Sequence, residues 1–488
     1  MKPYYFTLLA CICLWSFFCK NAEPKTDNDF KTQVPPETST EGYSPVTVYD
    51  YAGITFYVDS ENGSDHNDGR SEATAWKTLN KVNGYDFSAG NIIRFKCGGL
   101  WRGQLNPKGG DSDNRRIIYT SYGTGKKPVL QVSIARDNAG DWQEISAGIW
   151  ETSTGMDIDI GNIIFNHGEA CGVKKSSRNA LSENDDYFSD RANEKLYLKS
   201  AQNPATLYQS IELAPMKHGV ASAVGNVTFD GLAVRYTGAH GFGLSNSSNV
   251  TIRRCDIYWI GGGYQQEPPN PVRYGNAIEF WTGASNMLVE NNRIWEVYDA
   301  GVTNQGHSVT NTQRDIIYRN NLIWHCEMSF EYWNHPANSI TRNILFENNT
   351  CVDAGYGWGY AQRPDKNGTH LNFYDNTAQV SGFVIRNNVF VNARNGSFRM
   401  DNHWSSTPYC DHNLYHSPAG GYTGFVLGTH YTSLDALRSA TGMDTHSVFE
   451  NPGFVDPAKH DYRLASKPKT ANGVMPGIIQ WDTEWNND

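Results

Sequence analysis

Glu279, Asp299 and Glu331 are the side chains of this chain whose type and spacing could do chemistry. They sit in short alternations of apolar and polar residues, Asn276-Ala277-Ile278-Glu279-Phe280-Trp281, Asp299-Ala300-Gly301-Val302-Thr303-Asn304-Gln305 and Glu327-Met328-Ser329-Phe330-Glu331-Tyr332-Trp333. Ala239–Leu244, Tyr356–Tyr360 and Ser397–Asp401 have a related pattern. In a strand, side chains alternate between faces with period two. Aligning Phe242, Ile278, Val302, Phe330, Trp358 and Phe398 therefore sets Gly243, Glu279, Thr303, Glu331, Gly359 and Arg399 in one outward row. Small residues flank it (Gly241, Ala277, Gly301, Ser329, Gly357 and Ser397), which suggests the floor of a groove.

Two carboxyls in a groove can cleave a glycosidic bond. One protonates the leaving oxygen; the other activates water or attacks carbon, at separations of ~6.5–9.5 Å or ~5–5.5 Å respectively. Glu279 and Glu331 fall on strands two steps apart, roughly 9–10 Å between backbones. Asp299 with Glu331 suits either separation. Trp281, Trp333 and Tyr360 would be platforms for sugar rings, whose C–H faces pack on aromatics. His240, Asn304, Gln305, Glu327, Arg363 and Arg399 could orient hydroxyls. The competing reading is an exposed acidic row, or one that holds Ca²⁺.

These strands must be held by something, and the chain repeats. Val250–Cys255, Met287–Asn292, Ile316–Asn321, Ile344–Asn349 and Phe383–Asn388 are versions of one segment, a period-two strand that meets a turn. Cys255, Asn292, Asn321, Asn349, Asn388 and Asn413 share one place, at steps of 25 to 39 residues. Such a period marks a repeat architecture, and short strands with Asn at the bend mark β coils. Stacked coils put like residues ~4.8 Å apart, so the asparagines can form a ladder that satisfies buried polar groups. The expected fold is all-β, a right-handed parallel β-helix. A β-sandwich is the alternative.

Ile92–Lys96, Trp101-Arg102-Gly103 and Tyr119–Gly125, followed by the Asn-laddered coils, resemble the β-helix proteins of the pectate-lyase-like superfamily from about Ile54 to Ala465. That superfamily holds polysaccharide lyases, glycoside hydrolases, epimerases and non-catalytic members. Glu279-Phe280-Trp281, Asp299–Gln305 and Phe330–Trp333 look most like its hydrolases with fucosidase and xylanase activities. The resemblance implies a polysaccharide or oligosaccharide ligand, and a glycoside hydrolase. A polysaccharide lyase and a non-catalytic glycan-binding adhesin are the alternatives. A lyase needs a basic side chain and neutralisation of a uronate. The groove strands offer Arg399, with Arg363 nearby, but no Lys.

The 488 residues carry a net charge of −10, which argues against nucleic acid as a partner. Residues 1–19 read as an export signal: Lys2, then an apolar run from Phe6 to Phe18 too short to span a bilayer. Cys19 resembles a lipid-attachment site, although Phe17-Phe18 replaces the expected small residues; Cys11 leaves too short an apolar run. The expected location is secreted or on the bacterial cell surface or outer membrane, with membrane contact only through Cys19, as a monomer. Residues 20–53 read as a flexible tether and 54–465 as the β-helix domain. Within it, 54–135 form the N-terminal cap and first coils, 136–215 a small β insert and 216–420 the laddered coils; 466–488 are a C-terminal tail. Cys97, Cys171, Cys255, Cys326, Cys351 and Cys410 show no metal spacing. No cofactor is expected beyond Ca²⁺, for which Asp59, Asn62, Asp65, Asn67 and Asp68 offer oxygens; a loop of Asx turns is the simpler reading.

Overall fold

The computed structural model describes residues 53–222 and 224–465; the export signal with Cys19, most of the tether and the tail lie outside the described residues. Ten parallel strands, from Thr55–Val58 to Tyr409–Asp411, stack into one long sheet. A second sheet of seventeen mostly parallel strands wraps the remaining sides. Val250, Ile252, Met287, Val289, Ile316, Tyr318, Ile344, Phe346, Phe383 and Ile385 fill the cylinder between them and are buried.

The bend after each repeated strand explains the Asn-Asn pairs. The first residue of each pair (Arg254, Asn291, Asn320, Asn348, Asn387, His412) has a left-handed backbone, φ 51° to 58°. Asn tolerates that region better than other side chains with a Cβ. The second Asn is wholly buried and points along the stack. Asn292 donates from N and Nδ2 to Asn321 Oδ1. Asn321 donates likewise to Asn349, Asn349 to Asn388 and Asn388 to Asn413. Cys255 N donates to Asn292 Oδ1 at one end, and Asn413 N donates to Ser447 Oγ at the other.

A short helix, Leu79–Gly84, packs Leu79 and Val82 on the first coils. Ahead of it, a 3-10 turn Glu72–Thr74 is followed by Trp76, whose backbone pairs with Val58 before Thr78 caps the helix. Residues 134–215 build two smaller sheets with their own core of Trp142, Ile163, Phe165, Tyr187, Leu198 and Leu213. Lys174 bonds both carboxylate oxygens of buried Asp159 there.

Three expectations about the groove wall need correction. Trp358 does not open a strand. Residues Trp358–Gln362 are a helical turn, whose Trp358 N–H and indole N–H both bond Glu296. That coil's strand is Thr369–Phe373, and the register runs Glu331 to Asn372 to Arg399. Asn372 thus takes the place assigned to Gly359. Flanking Gly301 and Gly241 point into the cylinder: a Cβ at Gly301 would lie 2.6 Å from Ile323 Cγ2, and one at Gly241 2.8 Å from Ile257 Cγ2. Their size serves close packing at a corner.

The Asp59–Asp68 loop spends its oxygens on backbone. Asp59 accepts from Lys96 Nζ and the N–H groups of Glu61 and Asn62. Asp65 accepts from Lys77 and Thr78, and Asp68 from Arg70 and Thr74. Asn62 donates to Asp59 and Asn67 to Ala75 O. Among the described residues these acids do not gather into a metal-sized cluster. The six cysteines of the described residues are free.

Candidate functional site

Along the outward rows of consecutive strands, beside a hairpin that carries Gln265 and Tyr274, a cleft of about 620 Å³ opens. Its floor is the strand pairing Gly243–Glu279–Thr303–Glu331. The next outward positions, Ser245, Trp281, Gln305 and Trp333, pair in the same register and line the cleft with Tyr374 and Asp401. His218, His240, Gln265, Tyr274, Asn276, Asp299, His335 and Asp375 complete the wall.

Asp299 reaches the cleft through an irregularity. Between Val297 and Ala300 its strand has two residues where the neighbouring strand has one, Glu327. Such a bulge re-aims a side chain. Arg363 Nη1 holds Asp299 Oδ1 at 2.9 Å, and Gly275 N–H also bonds the carboxylate. Asn276 Nδ2 donates to Glu279 Oε2, and Gln305 Nε2 to Glu331 Oε2, both at 2.5 Å.

Glu279 is 3% exposed and Glu331 6%. Burial disfavours the charged form of a carboxyl, and a like charge adds to the effect. Burial pushes Glu279 up to about 8, with Asp299 adding to the rise and the Asn276 amide opposing it. Burial, then the nearby Asp299 and Glu279, hold Glu331 well above the carboxylate range. Asp299 is raised by burial too, but Arg363 and Gly275 pull it back toward the anion. All three acids are thus raised above their ordinary values, and among them only Asp299 is bonded to a cation that favours its anion.

His218 and His240 stack at 5.1 Å with ring planes 1° apart. His218 Nδ1 accepts from His240 N, and His240 Nδ1 accepts from Asn276 N. A ring nitrogen that accepts carries no proton, so each neutral imidazole has its N–H on Nε2. Burial lowers both, His218 to about 4. They are neutral hydrogen-bond donors rather than titrating bases near neutral pH.

Of the residues singled out from sequence, Glu279, Asp299, Glu331, His240, Trp281, Gln305 and Trp333 line the cleft. Five do not. Asn304 follows the inward parity, wholly buried and bonded to Gln313. Glu327 lies beneath the floor, 1% exposed, accepting from Asn367 N and Gly368 N. Arg363 stands behind Asp299, with Asp365 as a second partner. Arg399 pairs with Asp401 and Asn367, and Tyr360 packs under Arg394 and Lys366 on the helical turn. The missed residues Tyr374 and Asp401 lie two places beyond Asn372 and Arg399, so period two would have found them once the strand was placed correctly.

Glu279 sets a pH dependence whose sign is fixed. Its proton stays on in the folded protein up to about 8 and leaves the unfolded chain near the ordinary 4.5. Over that window the folded state binds more protons, so its stability falls as pH rises. We expect the stability advantage of E279Q over wild type to grow from pH 5 to pH 8.5, measured by urea unfolding. A constant difference would place Glu279 in a solvated setting.

A family model for the right-handed β-helix region matches residues 196–378. A solved structure described as a glycoside hydrolase shares 9% identity over 77% of this chain and 94% of its own, with a TM-score of 0.52. The complex of XylC with xylose (12% identity, 82% of this chain, 87% of its own) gives 0.43. A GH136 lacto-N-biosidase from Eubacterium ramulus (13%, 82% and 67%) gives 0.40. No curated protein matches the sequence. At these identities the likeness concerns fold. The chain has the fold of a right-handed parallel β-helix.

Proposed function

We propose that this protein is a glycoside hydrolase whose working carboxyls are Glu331 and Asp299, with Glu279 as a third, protonated member. The observation that carries the proposal is three buried carboxyls in one cleft, of which only Asp299 is bonded to a cation, Arg363. Environments that push paired carboxyls apart assign acid and base. Glu331, held protonated by burial and by Asp299, is the acid that protonates the leaving oxygen. Asp299, whose anion the bonded Arg363 favours against the burial that raises it, activates water or attacks the anomeric carbon. Glu279 keeps its proton near neutral pH and donates a hydrogen bond to a sugar hydroxyl. Trp281 and Trp333 flank the floor as ring platforms, and His218 and His240 offer Nε2–H donors.

The ligand class that suits this wall is a neutral oligosaccharide or polysaccharide. Among the described residues lining the cleft there is no Lys or Arg, and the cations behind it, Arg363 and Arg399, are already paired with Asp299 and Asp401, so a uronate would meet acids. The same observation weighs against a lyase. Export and attachment through Cys19 belong to the proposal as well, supported by the signal-like residues 1–19.

The deciding experiment incubates the purified protein with a panel of neutral and uronate-containing glycans. Products are followed by new reducing ends and by absorbance of an unsaturated sugar. Reducing ends from a neutral glycan without the unsaturated signal are expected. An unsaturated product would make the protein a lyase, and binding without any product would make it a glycan-binding module.

A further inference from the structure

Beyond the cleft, in the last laddered coil, Asp411, His412 and His446 bring three ligand atoms within 4.8 Å of one another. His446 Nδ1 lies 2.7 Å from Asp411 Oδ2, and His412 Nε2 lies 3.9 Å from the same oxygen. The two imidazoles stack at 4.9 Å, 13° from parallel. We propose that these three residues bind a divalent transition-metal ion of the zinc class, which staples the closing segment of the β-helix to its last coil.

Three features support a built site. A tetrahedral ion with bonds of ~2.0–2.1 Å needs ligand atoms about 3.3 Å apart. The two separations from Asp411 Oδ2 straddle that value, and all three ligand atoms lie within 4.8 Å of one another. The carboxylate is oriented in advance: Asp411 Oδ1 accepts the backbone N–H groups of His412 and His446, which presents Oδ2 to both rings. Such outer hydrogen bonds fix metal-ligating carboxylates. The sequence also departs from its own repeat here. The left-handed place before the ladder residue is Asn in four coils and Arg254 in one, but His412 in the last.

Two imidazole nitrogens and one carboxylate oxygen suit Zn²⁺, Ni²⁺, Cu²⁺ or Co²⁺ rather than Ca²⁺ or Mg²⁺. His446 is half exposed, so an ion has a path in, and a water would take the remaining position. The staple would reinforce a junction that carries the end of the Asn ladder. Asn413 N donates to Ser447 Oγ, one residue beyond His446, and Ser447 Oγ donates to Asp444.

The test uses the full protein stripped with EDTA and titrated with ZnCl₂ by calorimetry, and with CoCl₂ by visible absorption. One equivalent of Zn²⁺ should bind with a Kd below ~10 µM, about 7 kcal/mol, and raise the melting temperature. H412N installs the residue the repeat uses at that place and so should fold. H446Q changes a half-exposed side chain that also bonds Asp411. Each should weaken Zn²⁺ binding by ~10-fold or more and abolish the melting shift, and H412N should do so without altering the melting of the stripped protein. No binding at ~100 µM Zn²⁺, or binding that both variants retain, overturns the proposal. Because these residues lie outside the cleft lining, glycan turnover by stripped H412N should equal that of stripped wild type, whichever ligand the cleft takes.

Discussion

Glu331→Gln is expected to lower glycan turnover by ~10²–10⁴-fold, the usual worth of a positioned general acid, while glycan affinity stays within a few-fold of wild type. The substitution keeps shape and neutrality. Glu331 already holds its proton, because burial and the neighbouring Asp299 and Glu279 oppose its charge. An amide in its place therefore changes little in the ground state: the amide carbonyl can accept from Gln305 Nε2 as the carboxyl does. What the amide lacks is a proton to give to the leaving oxygen, a loss felt only in the transition state. The variant should also be at least as stable as wild type above neutral pH, since an amide has no ion to bury. Asp299→Asn is a less clean experiment, because buried Arg363 would lose one of the two carboxylates hydrogen-bonded to it. Turnover by Glu331→Gln within ~10-fold of wild type would remove Glu331 from the acid role and direct attention to Glu279. Retained binding with no turnover in either protein would leave a binding module.

The stack and most of the cleft floor were legible because both are written in repeats. One Asn pair per coil states the bend and the ladder together, since the first needs a left-handed backbone and the second a partner above and below. Period two then found Glu279, Thr303 and Glu331 in one row. Its failure at Gly359 has a physical cause. Gly357-Trp358-Gly359-Tyr360 has the right local alternation, but Trp358 is drawn into a helical turn against Glu296, and the strand is postponed to Thr369. Asn304 was misjudged in spite of the pattern, since two places from inward Val302 is again inward. The cleft's other walls are not repetitive. Gln265 and Tyr274 come from a hairpin, Gly263–Gln266 with Val272–Tyr274, whose Tyr264 N–H bonds Asp159 in the insert. His218 follows the insert's last strand, Ile211–Pro215. No periodicity in one sequence announces that an excursion from one coil will face a strand several coils away.

The ladder and the site are mechanically one object, which makes Asn321→Ala the most damaging small substitution we expect outside the cleft. Asn321 Oδ1 accepts two hydrogen bonds from Asn292, and its Nδ2 donates to Asn349 Oδ1 and Val289 O. Alanine keeps only the backbone N–H bond to Asn349. At a position with no solvent exposure, Asn292 N–H and Val289 C=O would be left without those partners. Each buried, unpaired group costs about 1–3 kcal/mol, so the variant should lose about 3–5 kcal/mol. Cys255→Ala is the control, because Cys255 occupies the same ladder place at its end. There the backbone N–H makes the bond to Asn292 and survives, while the thiol is only a weak donor. That variant should lose about 1–2 kcal/mol, mostly from lost packing. Equal losses in the two, measured by urea unfolding, would mean that the ladder does not act through its side-chain amides. In a solenoid each coil leans on its neighbours, so a weakened coil loosens locally first. Asn292 leads directly into strand Arg293–Gly306, which carries Asp299 and Gln305, and Asn321 into Leu322–Asn334, which carries Glu327 and Glu331. Turnover by Asn321→Ala should therefore fall at temperatures well below its melting point, because the acid and its partner carboxylate sit on the two coils that this side chain keeps in register.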